Sequence, residues 1–143
     1  MTLASTLDVL GRMPLFRMFD GPRLRVVAMT GSVLVFLDGE RIAERGEEGE
    51  AAYVILEGDV DVLLPSEEGE RRITTLGPGE IVGELAVLTG NPRATALVAR
   101  GHLTLLSLER DVVLALLREY PELALEVIRI IAARLEAMNA RAV

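Results

Sequence analysis

Gly83-Glu84-Leu85-Ala86-Val87-Leu88-Thr89-Gly90-Asn91-Pro92-Arg93-Ala94-Thr95-Ala96 decides how the rest of the chain is read. Gly83 has no Cβ, so its backbone can come close to a ligand. Glu84 to Leu88 reads as one short helical turn, whose free N–H groups and dipole attract an anion. Pro92 stiffens the return, and Arg93 follows as a planar, permanently charged fork suited to phosphate. Ala94 to Ala99 reads as a buried strand that fixes the position of Arg93. A glycine, a helix start and an arginine together describe a phosphate cradle. The glutamate needs a separate reason, because a carboxylate repels phosphate. Sugar hydroxyls supply one, since an ionised carboxylate is an acceptor-only group.

Each residue also has a plainer reading. Gly83 could serve a tight turn only, and Glu84 could be a solvated acid favoured by the helix dipole. Arg93 could pair with one of the 22 carboxylates of the chain. His102, the only histidine, reads as a surface or strand-edge residue.

At 143 residues, half of them hydrophobic, the chain suits one domain with a sizeable core. Aromatics make up 3%, so aliphatic side chains must fill that core. There is no Cys, which removes disulfides and thiolate metal sites and fits a reducing, cytoplasmic setting. The N-terminus lacks the basic and apolar regions of a signal peptide, and no apolar run is long enough to span a bilayer. The net charge of −7 argues against direct nucleic-acid binding by this chain, which rests on Lys and Arg neutralising phosphate. All 15 basic residues are Arg.

Read along its length, the chain runs helix, sheet, helix. Leu7 to Leu10 and Leu24 to Met29 have helical spacing around a break at Pro14 and Gly21-Pro22. Short strands follow: 33–37, 52–56, 60–64, 71–76, 94–99 and 103–108, separated by glycine turns. Many short antiparallel strands indicate a sandwich or small barrel, with a jelly roll the leading choice. A helical tail begins at Glu109 and restarts at Pro121. From there Leu123, Val127, Ile130, Ile131, Leu135 and Met138 recur at steps of three and four. That stripe must cover the sheet, cover a ligand, or pair with its twin in a homodimer.

The segment 83–96 resembles the phosphate-binding cassette of the cyclic-nucleotide-binding domain family, of the catabolite activator protein and protein kinase A regulatory subunit type. Gly83-Glu84-Leu85 and Pro92-Arg93-Ala94-Thr95-Ala96 carry the match, nearest to the kinase-type cassette. Pro14-Leu15-Phe16, Gly39-Glu40, Gly46, Gly49, Tyr53, Leu56-Glu57-Gly58 and Gly77-Pro78-Gly79-Glu80 extend it over the whole chain. The resemblance implies a mainly β fold with flanking helices. Residues 1–31 would form an N-terminal helical segment, 32–108 an antiparallel jelly roll, and 109–143 two C-terminal helices.

It further implies a regulatory cyclic nucleotide and no metal. Arg93 would hold the cyclic phosphate, with backbone N–H groups of Glu84, Leu85, Ala86 and Ala94 around it. Glu84 would bind the ribose 2′-hydroxyl, with the Gly83 backbone beside it. Val62, Leu64, Ile73, Ile81 and Val82 would wall the sugar and base, and Met138 or Asn139 would touch the base. Within the family, a hydroxyl directly after the cassette arginine often accompanies cyclic GMP. That place is Ala94 here, which favours cyclic AMP, although Thr95 one place later carries a hydroxyl.

The expected activity is ligand-gated switching of the helix from Pro121 rather than catalysis. The alternative is a ligand-free jelly roll that dimerises through Leu123 to Met138. A metal-dependent jelly-roll enzyme is disfavoured by one His and no Cys. No Ser-His-Asp, Cys-His or Walker-type loop is present. A helix-turn-helix would need more sequence after Val143. The output is therefore expected through a fused or separate effector, and the start at Met1 suggests a complete protein or an N-terminal domain.

Overall fold

The structure, a computed structural model, describes residues 1–142, with side chains through Asn139; Val143, the last residue of the expected C-terminal segment, lies outside them. Thr2 and Ser5 cap the first helix, α1 (Leu3–Arg12), reciprocally: the Thr2 hydroxyl accepts from the Ser5 N–H at 3.1 Å, and the Ser5 hydroxyl accepts from the Thr2 N–H at 2.9 Å. The break expected at Pro14 is a 3₁₀ turn, Pro14–Phe16, that buries Leu15 and Phe16. Asp20 then caps α2 (Gly21–Thr30), with Pro22 in the first turn, where its missing N–H costs nothing.

Six strands follow: β1 (Ser32–Phe36), β2 (Arg41–Ala43), β3 (Ala51–Ser66), β4 (Gly69–Leu76), β5 (Ile81–Val82) and β6 (Ala96–Glu109). All pairings are antiparallel. Two strands are long, and each serves two layers. In the first layer the halves 51–57 of β3 and 103–109 of β6 pair with each other and are flanked by β5 and β1. In the second, the halves 59–66 of β3 and 96–100 of β6 pair and are flanked by β4 and β2. The register between β3 and β6 slips between Ile55 and Asp59, where both strands turn from one layer to the other. The result is the expected jelly roll, with the short strands 52–56 and 60–64 fused into one.

Strand periodicity divides the core into two. Ile55, Val60, Val62, Leu97, Leu103 and Leu105 fill the space between the layers. Val54, Leu56, Leu106 and Leu108 point the other way and meet α1, α2, α4 (Arg110–Glu119) and α5 (Pro121–Ala142). Glu109 caps α4 rather than beginning it. Pro121 opens α5, as its fixed φ allows at a first helical position.

Two expectations are corrected here. The strand expected over 94–99 begins at Ala96, because Ala94 and Thr95 form a bend between the cassette and β6. The C-terminal stripe, expected as a unit to cover the sheet, cover a ligand or pair with its twin, is divided between a buried and an exposed part. Leu123 and Val127 are buried in the protein's own core, with Ile130 and Ile131 packed against it. The residues of α5 left exposed are Leu125, Ile128, Leu135 and Met138. Leu135 and Met138 belong to the stripe, whereas Leu125 and Ile128 are two outward apolar positions that it did not name.

The layer change depends on glycine. At Gly58 φ is +84°, and a Cβ would lie 2.2 Å from the carbonyl oxygen of His102 on the facing strand. At Gly101 φ is +73° with open space around it. Gly101→Ala should therefore lose only the backbone cost of a left-handed alanine, about 1–2 kcal/mol. Gly58→Ala should lose clearly more, because the strands must separate as well. Urea unfolding of both variants tests this; equal losses would show that the bend does not rest on that contact.

Candidate functional site

The cassette joins the two layers. β5, in the first layer, leads directly into Gly83, and β6 enters the second layer at Ala96. Between them stands α3 (Glu84–Thr89), which ends on Gly90. Gly83 has φ +76°, and a Cβ there would lie 2.7 Å from an Arg93 guanidinium nitrogen. Only glycine permits both the turn and that approach. Gly83 offers no side-chain cap to the first N–H groups of α3.

Arg93 is held at both ends. Its N–H donates to the Glu47 carbonyl at 2.8 Å, and its own carbonyl accepts from the Gly46 N–H at 2.8 Å. Arg93 as a whole is 7% exposed, and its guanidinium donates to the carbonyls of Ala51 (2.7 Å) and Gly83 (3.3 Å). The Tyr53 ring lies 5.6 Å from the guanidinium carbon. Among the described residues no carboxylate forms an ion pair with Arg93. A buried cation that meets only carbonyls and a ring face is incompletely neutralised.

Glu84 is 5% exposed. Its Oε1 accepts from Arg134 of α5 at 2.8 Å, and the same guanidinium donates to the Ile81 carbonyl at 2.7 Å. Burial raises the carboxyl above its ordinary range. The charge of Arg134, the backbone hydrogen bond of Glu84 itself, the Arg134 hydrogen bond and the charge of Arg93 oppose that shift. Buried Arg93 and Glu84, with the half-buried Arg134, thus form a group with one negative and two positive charges.

The remaining expected residues are distributed unevenly. Val62 and Val82 are buried between the layers, and Ile73 packs against them. Ile81 alternates with Val82 and faces the helices instead, so it is no part of that wall. Leu64 is half-buried. Ala86 is buried, whereas the Leu85 side chain is 54% exposed, so only its N–H could face an anion. Pro92 and Ala94 are exposed and Thr95 is half-buried. Met138 and Asn139 point outward. His102 is exposed beside the bend.

Two participants were missed by sequence reasoning: Tyr53 as the ring beside Arg93, and Arg134. The signal for Arg134 was present. Leu123, Val127, Ile130 and Arg134 step by four, three and four, so a cation occupies the inward stripe of α5. A cavity of about 550 Å³ lies on the helical side of this region, lined in part by Val9, Met13, Leu15, Ile81, Ile130 and Arg134. It reaches Arg134, the partner of Glu84, and Ile81, whose carbonyl Arg134 meets, but Arg93 does not line it.

Residues 33–120 match the family described as "Cyclic nucleotide-binding domain". The chain belongs to this family. This cyclic nucleotide-binding domain is 31% identical over 129 residues to the dog cyclic nucleotide-gated channel beta-3, covering 85% of the chain and 16% of the channel. It is 24% identical over 133 residues to a CRP-like cAMP-activated global transcriptional regulator of Mycobacterium tuberculosis, covering 92% and 59%. The domain therefore spans less than two thirds of either relative. The crystal structure of the Thermus thermophilus catabolite activator protein superposes with a TM-score of 0.80 at 29% identity, covering 90% of this chain and 61% of that one. The fold is thus that of a regulatory cyclic nucleotide-binding domain. No helix among the described residues is long and apolar enough to cross a membrane.

The raised carboxyl of Glu84 has a testable sign. A group whose folded-state pKa exceeds its unfolded value contributes most below the unfolded value, and the contribution is lost as pH rises through the folded value. Glu84→Gln stays neutral throughout. The variant should match the parent in stability below pH 4.5, the ordinary Glu value, and become the more stable of the two as pH rises. Thermal unfolding across pH checks this; parallel profiles for the two proteins would contradict it.

Proposed function

We propose that the chain is a sensor of a 3′,5′-cyclic nucleotide, with cyclic AMP preferred over cyclic GMP, and that ligand changes how α5 docks. The observation that carries this reading is the charge group around the buried Glu84 and Arg93. Arg93, Glu84 and Arg134 sum to +1, and a cyclic phosphodiester carries one negative charge. A linear phosphomonoester carries close to two at neutral pH, because its second pKa is about 6. Such a site would favour the cyclic form on charge as well as shape. Arg93 would take the phosphate with N–H groups of Glu84, Leu85, Ala86 and Ala94, while Val62, Ile73 and Val82 would line the sugar and base. Ala94, without a hydroxyl, supports cyclic AMP, as does the M. tuberculosis relative, whose name says cAMP-activated.

The ribose would meet the other end of the group. Arg134 occupies Oε1 of Glu84, and a carboxylate has room for further donors at Oε2. A ribose 2′-hydroxyl and α5 would then share one acid. Sharing couples ligand to helix, since each contact orients the carboxylate for the other. The cavity beside Ile130 and Arg134 leaves α5 room to shift. The exposed Leu125, Ile128 and Leu135 extend along one side of α5 and offer a seam for a homodimer, while a fused or separate effector would carry the output. That exposed seam also favours a second reading, a ligand-free dimerisation module. Activity by binding alone, without catalysis, is common to both readings.

Isothermal titration with cyclic AMP, cyclic GMP and linear AMP tests the proposal. Cyclic AMP should bind tightest and AMP weakest. Arg93→Ala should weaken cyclic AMP by about 3 kcal/mol, roughly 100-fold, while the fold is retained. Unchanged affinity in that variant would refute the phosphate assignment, and no heat with any ligand would favour the dimerisation module.

A separate measurement addresses α5. Arg134→Ala should weaken cyclic AMP by about 1.5 kcal/mol, roughly tenfold. It should also remove any change in amide exchange of α5 on adding ligand. A ligand response of α5 that survives the substitution would exclude the shared-acid coupling.

A further inference from the structure

Strand β1 ends the first layer, pairing with β6 on one side only. Its register with β6 is unbroken over five residues, so no bulge turns the edge away. The sequence Val33-Leu34-Val35-Phe36-Leu37 contains no charge and no proline, the usual means of blunting such an edge. Its side chains are exposed to an unusual degree: Val33 41%, Leu34 37%, Val35 57% and Leu37 60%. Val33 lies opposite Leu106, which is fully buried by the helices, so the helical layer stops one strand short of β1. Val26 and Met29 of α2 add 48% and 68% exposed apolar surface at the near end.

We infer that β1 is a self-pairing edge, and that two copies of this chain join antiparallel about Val35 to continue the first layer from one molecule into the next. The strand suits its own copy. Centred on Val35, the pairing sets Leu34 against Phe36 and Val33 against Leu37, apolar on apolar at every position. Beyond the strand, residue 38 of one copy falls opposite residue 32 of the other. The Asp38-Gly39-Glu40 turn of each copy then faces the C-terminal end of the partner's α2. The charges of α2, Arg23 and Arg25, lie in its first half, so the helix end near that turn is uncharged. The unpaired edge supplies backbone donors and acceptors, and the flanking side chains supply apolar burial, which together define pairing by strand addition. The chain's net charge of −7 opposes association elsewhere on the surface, and this strip carries none of it. The surface is distinct from the α5 seam and needs no nucleotide.

The absence of cysteine makes the test direct. Facing residues of an antiparallel pair have Cα atoms about 4.5–5.5 Å apart. A disulfide accepts about 4.4–6.8 Å. Val35→Cys should therefore form a disulfide-linked dimer on mild oxidation, while Met18→Cys, equally exposed but off the strand, should not. Light scattering in an Ile128→Arg background removes pairing through α5. That protein should have twice the chain mass and Val35→Arg/Ile128→Arg the mass of one chain, with unchanged circular dichroism in both. A single-chain mass for Ile128→Arg together with no cross-link at position 35 would overturn the inference, whatever the nucleotide titrations give.

Discussion

Arg93 is a permanent charge held out of water without a carboxylate to neutralise it, and much of the surrounding backbone answers to that fact. Burying a cation is costly unless polar groups replace its hydration. Two carbonyls and the Tyr53 ring do so in part. They come from β3 and from the turn after β5, so both must be in place before the guanidinium can be. The loop at Gly46 and Glu47 fixes the Arg93 backbone. Position 83 suits glycine because its φ is +76° and a Cβ would lie 2.7 Å from a guanidinium nitrogen. The arginine thus dictates neighbours distant in sequence, and its incomplete neutralisation is what the proposed phosphate assignment rests on.

The jelly roll places that charge at a seam. Because β3 and β6 each turn from one layer to the other, the cassette leaves the first layer at β5 and rejoins the second at Ala96. Its residues consequently see both the interior between the layers, through Val82, and the helical layer, through Ile81. A ligand bound there would touch both layers at once. That is a mechanical reason for a regulatory site to sit at this point rather than on one face of a sheet.

The sequence displayed some of this directly and concealed the rest for definable reasons. Glycine turns and short alternating runs revealed the strands, because strand period and turn chemistry are local. The fusion of 52–56 with 60–64 into one bent strand was hidden, because a glycine bend and a glycine turn look alike until the facing strand is known. Ile81 was assigned to the ligand wall with Val82, although period two forces neighbours to opposite faces; two residues are too few to show which face is which. Gly83, Glu84 and Arg93 were legible as a group, since spacing alone brings them to one short segment. Arg134 was not, because its partner lies 50 residues away and its only local mark is a cation inside an apolar stripe.

That misplaced cation explains more than the site. An inward stripe made wholly of apolar residues would dock α5 as permanently as Leu123 and Val127 dock its first turns. Replacing the next inward position by Arg134 makes docking of the later turns depend on polar contacts to one buried acid and the Ile81 carbonyl. Burial already raises the carboxyl of that acid, so the ion pair only partly offsets the cost of keeping it charged. The cavity between α1 and α5 means that close packing does not make up the difference. The two ends of α5 therefore differ in kind: the start is fixed by hydrophobic burial, and the end is held by a polar contact of small net worth. On the proposed function, a helix so divided would pivot about its buried start when the charge balance at Glu84 changes. An anion beside Arg93 and a hydroxyl beside Glu84, as proposed for the ligand, would be such a change.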